Sequence, residues 1–77
     1  MARLYKTTAW DSERQSDRDL WCAETSGQVI ATGDTAEEAA EHAHIKLTNC
    51  AAIAKAHKLP NRYIRRLLGE AEVFRPR

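Results

Sequence analysis

Alternating side chains in the first third of the chain predict β-strands. Residues Arg3 to Trp10, Leu20 to Thr25 and Val29 to Thr32 are rich in strand-forming types and place successive side chains on opposite faces. Nine polar residues, 11–19, separate the first two segments and predict a long loop. Ser26-Gly27 predicts a tight turn before the third segment. The short connections favour a three-stranded antiparallel sheet.

The pattern changes to a helical period after residue 33, and residues 34–58 are predicted to be helical. Thr35 can cap the free N–H groups at the helix start, and Glu38 completes a capping box. Apolar residues then recur three or four apart, at Ala36, Ala40, Ala43, Leu47, Ala51 and Ala54. Asn49 can cap a second helix, so one long helix or two shorter alanine-rich helices both fit this stretch.

A second, shorter helix is predicted over residues 61–69. Pro60 ends the preceding helix, Asn61 can start the next one, and Gly69 can end it. Residues 72–75 then suggest a short extended tail. Together the elements predict one α+β domain over residues 1–77, in which a three-stranded antiparallel sheet packs on the alanine-rich helix and the short C-terminal helix.

The charges are divided unevenly along the chain, although the net charge is only +1. Residues 1–45 carry four bases against nine acids, a net −5, and residues 46–77 carry eight bases against two acids, a net +6. Asymmetry of this kind indicates interaction with a charged partner, and solvated charged faces of helices are the alternative interpretation.

Two groups of charged residues and one apolar residue are therefore candidates for partner binding. Ile45 lies roughly opposite the alanine stripe, so it is predicted to be a contact residue on a polar helix face unless it is one of the scattered apolar residues that any surface carries. The full candidate set consists of Lys58, Arg62, Arg65 and Arg66 in the basic half, Ile45, and Asp11, Glu13, Asp17 and Asp19 in the polar stretch.

The sequence holds little that points to catalysis, and we expect neither an enzyme nor a cofactor. The three glycines are isolated, so none forms a phosphate-binding loop. His42 and His44 point about 200° apart on a helix, while Cys50 and His57 share a face but supply only two ligands of a zinc site. We therefore expect no metal site.

Composition and segment lengths also bear on where in the cell the protein is located. Apolar residues make up 43% and charged residues 30%, as in ordinary globular domains, and no apolar run approaches the ~20 residues of a membrane span. The start of the chain lacks the apolar stretch of a secretory signal, and two cysteines do not make a disulfide scaffold. These features predict a cytoplasmic protein with no membrane partner.

Residues 20–40 resemble HicB-type antitoxins. The likeness lies in a Trp21-bearing strand, the Gly27 turn, and the segment Ala31-Thr32-Gly33-Asp34-Thr35-Ala36-Glu37-Glu38-Ala39, which enters the helix. The resemblance implies a β-β-β-α start and a domain that binds and neutralises a small ribonuclease toxin. It covers about 20 residues.

Residues 51–69 are similar to a helix-turn-helix of the IclR type. Leu59-Pro60 would form the turn, with Leu59, Ile64 and Leu67 filling the angle between the helices. The resemblance implies a DNA-binding regulator, a homodimer being one form, in which Asn61, Arg62, Arg65 and Arg66 face duplex DNA. Lys58 and His57 depart from the glycine and the apolar residue typical of that pattern.

In size and build the chain also looks like the small phage inhibitors of bacterial defence, including anti-CRISPR proteins. The predicted function is accordingly a non-enzymatic inhibitor or regulator that binds a bacterial protein or an RNA–protein complex through charged surfaces. The alternative is a helix-turn-helix DNA-binding regulator. A continuous helix over residues 35–58 would count against that alternative, and a break near Asn49 would favour it.

Overall fold

The structure, a computed structural model, describes residues 2–75; Met1, Pro76 and Arg77, which the predicted domain 1–77 includes, lie outside the described residues. The elements are β1 (Arg3–Asp11), β2 (Ser16–Thr25), β3 (Gln28–Gly33), α1 (Ala36–Ala56) and α2 (Asn61–Val73). The strands form one antiparallel sheet in the order β1-β2-β3. The predicted α+β class and sheet are therefore confirmed.

The predicted loop over residues 11–19 is wrong, because only four residues connect β1 to β2. The Asp11 carboxylate accepts the backbone N–H of Glu13 at 3.0 Å and that of Arg14 at 3.3 Å, and Gln15 has φ 55°. These features close the turn. The rest of the polar run pairs as a ribbon whose side chains are exposed, so its backbone forms the strand without an apolar pattern.

The turn predicted at Ser26-Gly27 is present and joins β2 to β3. Both residues have positive φ, 52° and 78°, as a two-residue type I′ turn requires. The register on either side aligns Leu4, Ala23 and Ala31 across the three strands. These three side chains share one face of the sheet, and α1 packs on that face.

The core is small and lies between this face and the two helices. Its largest fully buried side chain is Phe74, at the end of α2. The buried core cluster consists of Ala23, Ala43, Leu47, Ala71 and Phe74. Three of these five are alanines, which let the elements approach closely but bury little apolar area each.

α1 is one unbroken helix, so the alternative of two shorter helices is wrong. The Thr35 hydroxyl accepts the N–H of Glu38 at 3.1 Å, which confirms the predicted cap. Asn49 does not begin a second helix, and the neighbouring Thr48 hydroxyl donates to the His44 carbonyl within the helix at 2.7 Å. Four of the six residues of the predicted apolar stripe are buried, namely Ala43, Leu47, Ala51 and Ala54. Ala36 and Ala40 are partly buried, and Ala39, which was not predicted, is buried in their place.

α2 is longer than predicted, because Gly69 does not end it and the expected extended tail is helical to Val73. A glycine inside a helix costs about 1 kcal/mol, and the burial of Ala71 and Phe74 beyond it offsets that cost. Asn61 does not cap the helix either: Pro60 holds the N-cap position, and its carbonyl accepts the N–H of Tyr63 at 3.0 Å.

The two helices form an antiparallel hairpin joined at residues 57–60. Lys58 adopts φ 56°, and the N–H of Leu59 donates to the Ala54 carbonyl at 3.0 Å, which closes the end of α1 in the manner of a Schellman turn. His44 of α1 contacts the Ala71 carbonyl of α2, so α2 runs back alongside α1. We call residues 57–60 the αα-turn.

The described chain is elongated and measures 47 by 22 by 22 Å. Its radius of gyration is 14.2 Å, whereas a compact domain of this length would have about 11.5 Å. β3 and α1 run in opposite directions, so the β1–β2 hairpin extends past the start of α1. The αα-turn lies at the opposite end of the molecule.

Candidate interaction surfaces

Folding keeps the two charge groups apart instead of pairing them with each other. All six ion pairs found among residues 2–75 join two residues of the same half, either 2–45 or 46–75. The four in the first half use every base of that half. The acids that remain without an ion pair in the described chain are Glu13, Asp17, Glu37, Glu38 and Glu41, at the hairpin and the start of α1.

Four of the five described bases outside those ion pairs gather at the other end, and the fifth, Lys46, donates to the Ile30 carbonyl of β3. Lys55 lies in the last turn of α1, Lys58 lies in the αα-turn, and Arg62 and Arg65 lie in the first turns of α2. All four side chains are exposed. We call these four residues the basic end; three of them, Lys58, Arg62 and Arg65, were predicted from the sequence.

Exposed apolar residues lie in the same segments of the chain as these bases, and Tyr63 lines an open groove with Cys50 and Arg66. Ile53 is 60% exposed, Leu59 42% and Tyr63 45%. Ile64 and Leu67 are partly buried, as the helix-turn-helix resemblance implies, but Leu59 does not fill an interior angle. Tyrosine and arginine on an apolar surface are the composition that protein interfaces favour.

Arg66, the fourth predicted base, is held within the fold. Its guanidinium donates to the Ser26 hydroxyl at 2.9 Å and to the Glu70 carboxylate at 3.4 Å. It therefore ties α2 to the turn between β2 and β3. Its side chain is exposed, but these contacts leave it less able than Arg62 or Arg65 to turn toward a partner.

The predicted acidic residues lie at the opposite end, on the β1–β2 hairpin, and two of them have partners. Asp11 binds the turn backbone and lies 3.8 Å from the Arg14 guanidinium. Asp19 lies 3.9 Å from the Lys6 ammonium. Glu13 and Asp17 are exposed. The eight charged candidates therefore divide between the two helices' end and the opposite, hairpin end of the molecule, and they do not form one surface.

Ile45 lies between the two ends on the outer side of α1 and is 49% exposed. Its neighbours on the helix take up the other directions: Ala43 is buried in the core, His42 contacts the Thr32 carbonyl, and His44 contacts the Ala71 carbonyl. No described element covers Ile45, and its role as a contact residue stays a prediction.

The helix pair differs in geometry from the resemblance over residues 51–69. A helix-turn-helix crosses its two helices at about 90–120°, whereas α2 here runs back alongside α1. Asn61 is exposed at the start of α2 beside Arg62 and Arg65. The three predicted DNA contacts other than Arg66 thus share a surface with Lys58, but on a helical hairpin.

The outer face of the sheet carries a second cluster of polar groups. The Arg3 guanidinium bonds the Glu24 carboxylate at 3.2 Å and lies 4.7 Å from the centre of the Tyr5 ring. Partial burial raises the pKa of the Tyr5 hydroxyl, and the neighbouring Cys22 and Glu24 raise it further. Hydrogen bonding and charge from Glu24 raise the pKa of Arg3.

The histidines and cysteines have structural surroundings. His42 and His44 contact backbone carbonyls at 2.8 and 2.7 Å, Cys22 is buried, and Cys50 is exposed. Among residues 2–75 no group of three or more His, Cys, Asp or Glu side chains is placed to hold a metal ion. In the same range, no helix is long and apolar enough to cross a membrane.

Sequence reasoning missed Ile53 and Tyr63 as exposed apolar residues of the basic end. Their spacing from Leu59 and Ile64 fits the interior of a two-helix motif, so an apolar pattern alone assigns them to a core. The signal that could have found them is charge, because bases lie close to each residue along the chain: Lys55 follows Ile53, and Arg62 and Arg65 flank Tyr63.

Comparisons with protein families, with curated proteins and with solved structures find no match to this chain. The resemblances to HicB-type antitoxins, to the helix-turn-helix and to phage inhibitors therefore stay predictions.

Proposed function

We propose that this protein is a small non-enzymatic inhibitor or regulator that binds a bacterial protein or nucleoprotein complex in the cytoplasm. The observation that supports this most directly is the basic end. Lys55, Lys58, Arg62 and Arg65 point into solvent without ion pairs among the described residues, beside exposed Ile53, Leu59 and Tyr63.

Electrostatics favours an acidic partner surface. The net −5 and +6 of the two halves do not cancel locally, since every described ion pair forms within one half. At physiological salt, charges more than about 8 Å apart are largely screened, so ends separated along a 47 Å molecule act independently. The basic end then attracts and orients a negatively charged target.

The exposed apolar residues can contribute binding affinity, which charged residues alone supply less of. Rim charges mainly change the rate of association, whereas aromatic and aliphatic anchors that become buried contribute most of the affinity. Tyr63 and Leu59 are nearly half exposed and lie in the first turn of α2 and the αα-turn. A small rigid domain of this kind can block a target site without chemistry.

The test is capture of a partner from a bacterial lysate on immobilised protein, with a charge-reversed variant. Arg62→Glu/Arg65→Glu is expected to lower retention at least tenfold. The matched control is Arg14→Glu/Arg75→Glu, which makes the same charge change at exposed arginines away from the basic end. Nuclease treatment of the captured material separates a protein target from a nucleoprotein.

The proposal fails if no macromolecule is retained, or if both double variants lower retention equally. Equal loss would show a dependence on net charge and not on a surface. Duplex DNA is the alternative partner, and a gel shift at low salt examines it. Sequence-selective binding with a steep salt dependence would replace the proposal by the helix-turn-helix interpretation.

A further inference from the structure

The two edge strands of the sheet, β1 and β3, differ in whether side chains from other elements bond their outward backbone groups. On β3, the His42 ring contacts the Thr32 carbonyl at 2.8 Å and the Lys46 ammonium donates to the Ile30 carbonyl at 3.1 Å. These side chains of α1 cover the backbone acceptors of that edge. Along β1, by contrast, no side chain of residues 2–75 bonds the outward backbone groups.

The register shows which backbone groups of β1 point away from β2. The type I′ turn makes Thr25 and Gln28 a hydrogen-bonded pair, and bonding directions alternate along a strand, so Cys22 bonds toward β1. Its partner on β1 is Tyr5. The odd-numbered residues of β1 therefore bond β2, and the N–H and C=O groups of Leu4, Lys6, Thr8 and Trp10 point outward.

We propose that two copies of this chain associate by antiparallel pairing of their β1 strands, with Thr7 of one copy opposite Thr7 of the other. This register overlaps all of Arg3–Asp11 and sets the outward groups of each strand against those of the other, for about eight hydrogen bonds. The result is one six-stranded sheet with a two-fold axis at Thr7.

The strand is complementary to itself in this register. Arg3 lies opposite Asp11 of the second copy, so opposite charges meet at both ends of the pairing. Leu4 lies opposite Trp10 of the second copy, which pairs an aliphatic side chain with an aromatic one. At the axis the two Thr7 side chains meet as a close, non-hydrogen-bonded pair, which cross-strand threonines favour.

A groove in the fold fits the exposed tryptophan. Trp10 is 63% exposed, and it shares the helix-side face of β1 with Leu4. Beside Leu4 lies an open groove of about 500 Å³ lined by Ala40, Val73 and Phe74, with Glu37, Glu41 and Arg75 at its rim. The two-fold axis keeps the faces of both copies on the same side, so each Trp10 comes next to the groove of the other copy.

Lys6 is the residue of β1 that opposes pairing, because a charge on an edge strand is a common guard against association. Here its ammonium lies 3.9 Å from Asp19 of the same hairpin, which compensates its charge. In the proposed register it faces Thr8 of the second copy and not the other Lys6. The charge of Lys6 thus opposes pairing with unrelated strands more than it opposes pairing with a second copy of β1.

Sedimentation equilibrium of the intact protein is the first test. A dimer is expected, and Thr8→Pro is expected to weaken it at least tenfold because proline removes an outward N–H and no bond to β2. Thr8→Ala keeps the N–H and is the matched control. A monomer at millimolar concentration, or a dimer that Thr8→Pro leaves unchanged, would overturn the proposal.

Cross-linking tests the register without relying on proline. In a Cys50→Ser background, Thr7→Cys is expected to form a disulfide between copies, since a close antiparallel pair has Cα atoms about 4.5 Å apart. Ala9→Cys lies on the same face, but its copies would be more than about 13 Å apart. Equal cross-linking of the two variants would contradict the register.

This surface is separate from the basic end, and the proposal does not depend on the proposed function. Pairing at β1 leaves Arg62 and Arg65 of both copies exposed. Loss of dimerisation in Thr8→Pro with partner retention intact would therefore separate the two. Failure of partner capture with a stable dimer would overturn the proposed function alone.

Discussion

The His44 ring nitrogen Nδ1 lies 2.7 Å from the Ala71 carbonyl oxygen, which joins the middle of α1 to the last turn of α2. The contact is partly buried and requires the proton on Nδ1. His44→Phe keeps a ring but loses the donor. We expect it to lower the free energy of unfolding by about 1 kcal/mol in urea titrations, since the Phe74 N–H still satisfies the same carbonyl.

His57→Phe is the matched control, because His57 is exposed at the end of α1. Its free energy of unfolding is expected to change by less than about 0.5 kcal/mol. If both variants lose the same stability, the effect would be that of an added aromatic ring and not of the lost hydrogen bond. α2 would then be held to α1 by packing alone.

Replacing Gly69 and Gly33 by alanine is expected to change the stability of the protein in opposite directions. A methyl group at Gly69 would meet no atom within 4 Å, so Gly69→Ala is expected to stabilise the protein by about 1 kcal/mol through helix propensity. At Gly33 it would lie 2.6 Å from the backbone nitrogen of Ala39, so Gly33→Ala is expected to cost about 1–3 kcal/mol.

Thermal and urea unfolding of the two variants measure this contrast directly. A stabilised Gly33→Ala would show that the βα connection adjusts freely. A destabilised Gly69→Ala would show that α2 is not a regular helix at that point. The pair also checks why Gly69 does not end the helix, since the contacts of Phe74 beyond it have to outweigh its low propensity.

Local signals account for the parts of this fold that the sequence predicts. The Thr35 cap, the Ser26-Gly27 turn and the alanine stripe each depend on residues a few positions apart, and the structure confirms the cap, the turn and most of the stripe. The first part of β2, residues 16–19, was missed because backbone pairing with β1 stabilises it, which leaves no apolar pattern. The burial of Phe74 was missed because it depends on where α2 returns to the sheet.

The candidate surface was predicted only in part for a similar reason. Charge counts along the chain indicate the two charged groups, but which bases remain unpaired depends on contacts such as that of Arg66 with Ser26, 40 residues away. Tyr63 lines an open groove with Cys50 of α1 and Ile30 of β3, so its exposure depends on how α2 returns alongside α1 and the sheet. Neither property is visible in the spacing of residues.

The raised pKa of Tyr5 makes stability depend on alkaline pH. The folded protein holds the phenolic proton more tightly than the unfolded chain, whose tyrosine titrates near 10. The resulting stability is present below pH 10 and is lost as the pH rises through the folded value. We expect the free energy of unfolding to fall above pH 10, and Tyr5→Phe to reduce that fall.

An ultraviolet titration of the phenol in a Tyr63→Phe variant isolates Tyr5, since the chain has two tyrosines. The midpoint is expected above 10, because partial burial, Cys22 and Glu24 all disfavour the phenolate. A midpoint at or below 10 would mean that the Arg3 guanidinium, 4.7 Å from the ring centre, stabilises the phenolate more than burial disfavours it.

Lys58 combines a backbone role with a place in the basic end, and two substitutions separate these roles. Its φ of 56° is unfavourable for a side chain and suits glycine, so Lys58→Gly is expected to be about 0.5 kcal/mol more stable than Lys58→Ala in urea unfolding. Both variants lose the same charge. If charge is what Lys58 contributes to binding, both should lower partner retention equally; a larger loss in Lys58→Gly would instead show that the rigid αα-turn positions Arg62 and Tyr63 for the partner.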